Sequence, residues 1–95
     1  MKICFLGCGN IAQAIIDGLL KSGISSSDIA CIERNEQRVE SLRMQNLQII
    51  ALENLASIDF DLIILAVKPK DALSAEQNIS KMAPNTAILS VVAGI

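Results

Sequence analysis

A short apolar run, Lys2–Leu6, stops at a glycine, and the next residues read Gly7-Cys8-Gly9-Asn10-Ile11-Ala12 before helical periodicity begins. The pattern is G-x-G-x-x-A. By itself that string carries little information. Its place, directly after a buried strand and at the opening of a helix, is what constrains the fold. Gly7 allows a tight turn out of the strand, and Gly9 lets the backbone approach a ligand's pyrophosphate. Ala12, the third small residue, lets helix and strand pack closely. The free N–H groups of the helix start then point at phosphate oxygens. The competing reading is a glycine turn that only joins strand to helix compactly. No Gly-Lys-Ser/Thr follows, which excludes a P-loop.

The rest of the chain alternates in the same manner. Apolar residues recur at helical spacing from Ile11 to Lys21, with Asn10 as the expected cap and Gly23 as the stop. A polar loop, residues 25–28, leads to a second strand, Ile29–Glu33. Asn35 caps a second helix over Glu36–Met44, and Gln48–Ala51 reads as a weaker third strand. Residues 53–58 read as a turn of helix or as irregular chain. Asp61–Val67 is a strong fourth strand, and Lys68-Pro69 ends it. Lys70–Met82 is a helix closed by Pro84-Asn85, and Thr86–Val92 is a fifth strand. The strands are continuous apolar runs without alternation, as expected where helices cover both faces of a parallel sheet. Right-handed crossovers then give a single α/β domain of Rossmann type. Its five parallel strands are doubly wound in the order 3-2-1-4-5, with the switch point between strands one and four.

Composition narrows the chemistry. The 95 residues are 52% hydrophobic with a mean hydropathy of +0.47, which excludes intrinsic disorder. There is no histidine, so Ser-His-Asp and Cys-His catalysis and histidine metal sites are absent from this sequence. No metal site is expected from Cys4 and Cys8 either, since their spacing does not match zinc pairs. A net charge of −2 and only two aromatic residues argue against nucleic-acid binding. No run approaches the ~20 apolar residues of a membrane span. Ile3–Leu6 is too short for a signal sequence, and Phe5-Leu6-Gly7-Cys8 has almost nothing before it that would make a lipoprotein box. Cys4, Cys8 and Cys31 sit in or beside apolar runs and read as buried free thiols, which fits a cytoplasmic protein.

Two further stations accompany the glycine loop. Strand two ends Ile32-Glu33-Arg34-Asn35. An acid there accepts from the ribose hydroxyls of NAD, whereas an arginine pairs the 2′-phosphate of NADP. Both are present, and which way Glu33 points is not legible. Arg34 beside a capping Asn35 favours NADP, with NAD the alternative. Arg38, one turn on, could add a second positive group, but a solvated helix face is the stronger reading. At the end of strand four, Ala66-Val67-Lys68-Pro69 combines a small residue, a lysine able to position phosphate or ribose oxygens, and a stiff turn. Ser90-Val91-Val92-Ala93-Gly94-Ile95 places small residues where the nicotinamide passes.

Together these strings resemble the amino-terminal domain of the pyrroline-5-carboxylate reductases, over the whole chain. They are Lys2–Ala12 with Ala14–Leu19, Leu65–Pro69, and Ser90–Ile95. The resemblance implies an enzyme that uses NAD(P)H to reduce 1-pyrroline-5-carboxylate to L-proline, a small-molecule substrate. It implies that Gly9, Asn10, Ile11, Ala12, Arg34, Asn35, Asn54, Ala66, Val67 and Lys68 contact the cofactor, with Ala93 and Gly94 near nicotinamide and substrate. It also implies a carboxy-terminal helical domain for dimerisation and substrate binding, which residues 1–95 do not contain. With no histidine or tyrosine and only Ser90 near the hydride site, these residues are expected to bind dinucleotide with little activity of their own. Homodimerisation through the exposed edge of strand five is a further expectation. Deazaflavin-dependent NADP reductases and β-hydroxyacid-type dehydrogenases share this kind of domain. A stand-alone nucleotide-binding regulatory module is the reading from another class.

Overall fold

The computed structural model of the chain describes residues 1–91. The element order is β1 (Ile3–Leu6), α1 (Asn10–Lys21), β2 (Ile29–Ile32), α2 (Glu36–Met44), β3 (Gln48–Ile49), β4 (Leu62–Leu65), α3 (Pro69–Met82) and β5 (Ala87–Ser90). All pairings are parallel, and the strands lie in the order β3-β2-β1-β4-β5. This is the doubly wound α/β sheet that the continuous apolar runs call for.

Alternate residues of each strand serve opposite faces. Ile3 and Phe5 of β1 join Ile29, Cys31 and Ile64 under Ala12 and Ile16 of α1 and Leu42 of α2. Cys4, Ala30, Ile32, Ile63 and Leu65 pack on the other face with Ile79 of α3 and Leu55. Leu55 comes from a 3-10 segment over Leu52–Ser57, in the stretch that reads from sequence as a turn of helix or irregular chain. Ala12, Ile16 and the partly buried Ile15, Leu19 and Leu20 recur at three and four residues, so α1 lays one stripe on the sheet.

Several boundaries differ from expectation: β1 begins at Ile3, β2 ends at Ile32, β4 is only Leu62–Leu65, and α3 already includes Pro69. Asn10 does not cap α1 but is its first residue. Gly9 takes the extended cap conformation (φ −78°, ψ −159°), and its carbonyl accepts the first helical bond from Gln13 N–H at 2.9 Å. β3 is two residues long, not four, and only Gln48 and Ile49 pair with β2. β5 spans Ala87–Ser90, and the expected end of that strand at Val92 lies outside the described residues.

The end of α1 follows the sequence. Gly23 has φ +103°, its N–H donates to Leu20 O, and Ile24 N–H reaches back to Leu19 O, which is a Schellman closure. Gly18, exposed in the middle of α1, meets no atom within 4 Å where a Cβ would stand. Gly18→Ala is therefore expected to stabilise the fold by about 0.5–1 kcal/mol, read as a raised urea midpoint at unchanged slope.

Candidate functional site

The residues singled out from sequence come together along one edge of the sheet, where the parallel strands present their carboxyl ends. β1 delivers Gly7–Ala12, β2 delivers Glu33–Asn35, β4 delivers Ala66–Lys68, and Asn54 follows β3 in its 3-10 segment. Backbone bonds tie this edge together. Gly7 N–H donates to Ile32 O at 3.0 Å, Ala66 N–H to Leu6 O at 2.8 Å, and Val91 N–H to Leu65 O at 2.9 Å. Ala93 and Gly94 lie outside the described residues.

The two glycines of the loop differ in what they are for. Gly7 has φ +84°, and a Cβ there would stand 2.7 Å from Ala66 O and 3.2 Å from Val67 Cγ1. It is required by the fold, because it lets the turn after β1 press against the turn after β4. Gly9 has ordinary extended angles, and the nearest atoms to its would-be Cβ are those of the Arg38 guanidinium at 3.8 Å. Neither backbone nor packing demands a glycine at residue 9. The space it leaves is at the start of α1, which has no side-chain cap and no acidic residue in its first turn. Uncapped N–H donors beside an unfilled Cβ position make a cradle for an anion.

The neighbouring helix start is built differently. Asn35 Oδ1 accepts from Arg38 N–H at 3.0 Å, so α2 is capped by its own side chain as its sequence suggests. Arg34, exposed, leads into that cap. Arg38 is not spent on solvent alone. Its guanidinium lies over Gly9 and 3.9 Å from Glu33 Oε1, although half of its side chain remains accessible. Arg38 is thus both solvated and at the rim of the glycine loop, where it can add a second positive group.

Glu33 is turned inward. Oε1 accepts from Cys8 N–H at 2.8 Å, and Oε2 accepts from Arg34 N–H and Asn35 N–H at 2.9 Å each. Burial pushes this carboxyl up, but the three backbone donors and Arg38 outweigh it and hold the group below the usual glutamate value. Its ionised form therefore stabilises the fold above the ordinary glutamate range. That contribution is lost as pH falls through the lowered folded value.

Cys4, Cys8 and Cys31 are free and buried. Burial, helped by neighbouring Cys31, pushes the Cys4 thiol up to about 12. A hydrogen bond to the Cys31 thiol and then burial drive Cys8 far upward too. Cys8 is thus a protonated thiol inside the glycine loop, part of the core and not a nucleophile.

A shallow concavity of about 650 Å³ elsewhere is lined by Leu73, Glu76, Gln77, Ser80 and Lys81. All five belong to α3, so it is one helix's outer surface, and none of the expected site residues among those described lines it.

The protein family described as "NADP oxidoreductase coenzyme F420-dependent" matches residues 2–94. Pyrroline-5-carboxylate reductase 1 of Bacillus subtilis is 37% identical over 99% of this chain, and pyrroline-5-carboxylate reductase of Haemophilus influenzae is 36% identical over 98%. The chain spans about a third of these relatives, 33% and 35% of their lengths. Among solved structures, a pyrroline-5-carboxylate reductase from Coxiella burnetii aligns with a TM-score of 0.85 at 22% identity, over 98% of this chain and 36% of that one. The Plasmodium falciparum pyrroline carboxylate reductase with NADP bound aligns at 0.78 and 20% identity, over 97% and 33%. At those identities the structures speak for the fold, whereas the family match covers nearly every residue. The chain belongs to the NADP oxidoreductase, coenzyme F420-dependent, family.

Proposed function

We propose that residues 1–95 are the NAD(P)-binding domain of a cytoplasmic reductase that converts 1-pyrroline-5-carboxylate to L-proline. The observation that carries the binding reading is Gly9: a glycine required by neither backbone nor packing, at an uncapped helix start. The relatives' names and the Ala66-Val67-Lys68-Pro69 string support the substrate.

In this reading Gly7, Gly9, Asn10, Ile11 and Ala12 receive the pyrophosphate, and Arg34 and Asn35 receive the adenosine 2′-phosphate. Arg38 adds a second cation. Asn54 lies on the adenosine side, and Ala66, Val67, Lys68 and Ala93 lie along the nicotinamide half. NADP is the preferred cofactor. When bound, it supplies the hydride for the C=N bond. The chain's own residues hold and orient the nucleotide. These residues alone are expected to bind nucleotide with little turnover. β5 leaves one sheet edge without a partner strand among the described residues, and homodimerisation through it belongs to the same proposal.

Titration with NADPH and NADH tests the cofactor assignment. Arg34→Ala should weaken NADPH about 10- to 100-fold, the worth of a lost charge-assisted contact, and NADH less than about threefold. An equal loss for both cofactors would move the 2′-phosphate elsewhere. The family's description supports a second reading, in which the hydride partner is a deazaflavin. Assays of the protein at its natural length with reduced coenzyme F420 and with pyrroline-5-carboxylate separate the two.

A further inference from the structure

Glu33 stands at the end of β2, where a carboxylate in a dinucleotide fold ordinarily accepts from the adenosine ribose. Its side chain is instead only 9% exposed, and both oxygens are engaged by main-chain donors. The donors come from two segments: Cys8 N–H lies 25 residues before Glu33, in the glycine loop, while Arg34 and Asn35 N–H begin the turn into α2. We propose that Glu33 is a positioning residue that braces the pyrophosphate loop against the 2′-phosphate loop, and that it takes no part in reading the ribose. The inference rests on the nucleotide-binding reading of this edge.

The chemistry explains why the residue is a glutamate. A carboxylate is acceptor-only, with about four lone-pair sites, and three N–H groups converge on it from two sides. A glutamine of the same shape would turn an NH2 toward one set of donors and leave it unpaired. The brace also resolves a conflict of charge. A free carboxylate beside Arg34 would repel a 2′-phosphate. Glu33, held by three N–H donors with Arg38 at 3.9 Å, is compensated where it stands. A nucleotide with a bare 2′-hydroxyl meets a carboxylate already engaged at both oxygens. One side chain thus rigidifies the part of the site shared by both cofactors and forgoes the contact that would favour NADH.

The test uses the protein at its natural length, with Glu33→Gln and Glu33→Ala. Dissociation constants for NADPH and NADH are measured well below the melting temperature, where a change of stability alone leaves affinity unaltered. Hydrogen exchange of the Cys8 amide is followed without ligand. Both variants should weaken NADPH and NADH by the same factor, about 5- to 30-fold, with glutamine no better than alanine. The Cys8 amide should be protected in the parent protein and exchange faster in the variants. Selective loss of NADH with NADPH kept or improved would make Glu33 a ribose reader and overturn the proposal. Parental affinity for both cofactors in Glu33→Gln would overturn it too, as would an unprotected Cys8 amide in the parent protein. If the parent bound neither cofactor while Cys8 exchange behaved as expected, the nucleotide reading would fall and the brace would stand.

Discussion

Gly7→Ala should cost the fold about 2–4 kcal/mol, a large share of the 5–15 kcal/mol that holds a small domain together. Two effects add. The residue sits at φ +84°, where an L side chain costs roughly 1–2 kcal/mol. The new methyl would also lie 2.7 Å from Ala66 O and 3.0 Å from Ala66 C, which are backbone atoms and cannot swing aside. Ala66 is itself pinned, because its N–H donates to Leu6 O at 2.8 Å. Relief requires β1 and β4 to part at their carboxyl ends, where the order of the strands switches from one side of β1 to the other. Urea denaturation reads the effect directly. A loss below about 0.5 kcal/mol, the range of an ordinary surface substitution, would contradict the close approach of the two turns.

The same substitution two residues on should give the opposite pattern. Gly9→Ala adds a methyl in ordinary extended backbone, with nothing nearer than 3.8 Å. Its expected cost to stability is at most about 1 kcal/mol, the difference between glycine and alanine at a helix cap. Its expected cost to NADPH affinity is about 100-fold. The methyl would hold phosphate oxygens away from the uncapped amides of α1, losing the equivalent of one or two hydrogen bonds to a charged group. Calorimetric titration beside a melting curve separates the two quantities. Large destabilisation with affinity kept would make Gly9 a folding glycine and remove the strongest support for the binding reading.

What could be read from sequence was whatever depends on local pattern. Continuous apolar runs in β1, β2 and β4 specify strands buried on both faces of a parallel sheet, and right-handed crossovers in a doubly wound domain then give the 3-2-1-4-5 order. Asn35 was legible as a cap because its side chain needs only its own helix, and it bonds Arg38 N–H as such residues do. Asn10 misled for the complementary reason. It is of capping type, but the backbone at Gly9 already takes the cap conformation and starts the helical ladder. The direction of Glu33 and the reach of Arg38 were not legible, since both depend on how α2 crosses the glycine loop and not on spacing along the chain. Inward rotation of Glu33 needs the Cys8 amide to be waiting, and that amide is placed by β1.

The most direct test of the site is amide chemical-shift mapping of the isotopically labelled protein titrated with NADPH. The expected result is a saturable set of changes at Gly7–Ala12, Arg34, Asn35 and Ala66–Lys68, the turns that meet at the carboxyl edge of the sheet. Changes confined to the outer face of α3, around Leu73 and Gln77, or no saturable change at all, would contradict the account.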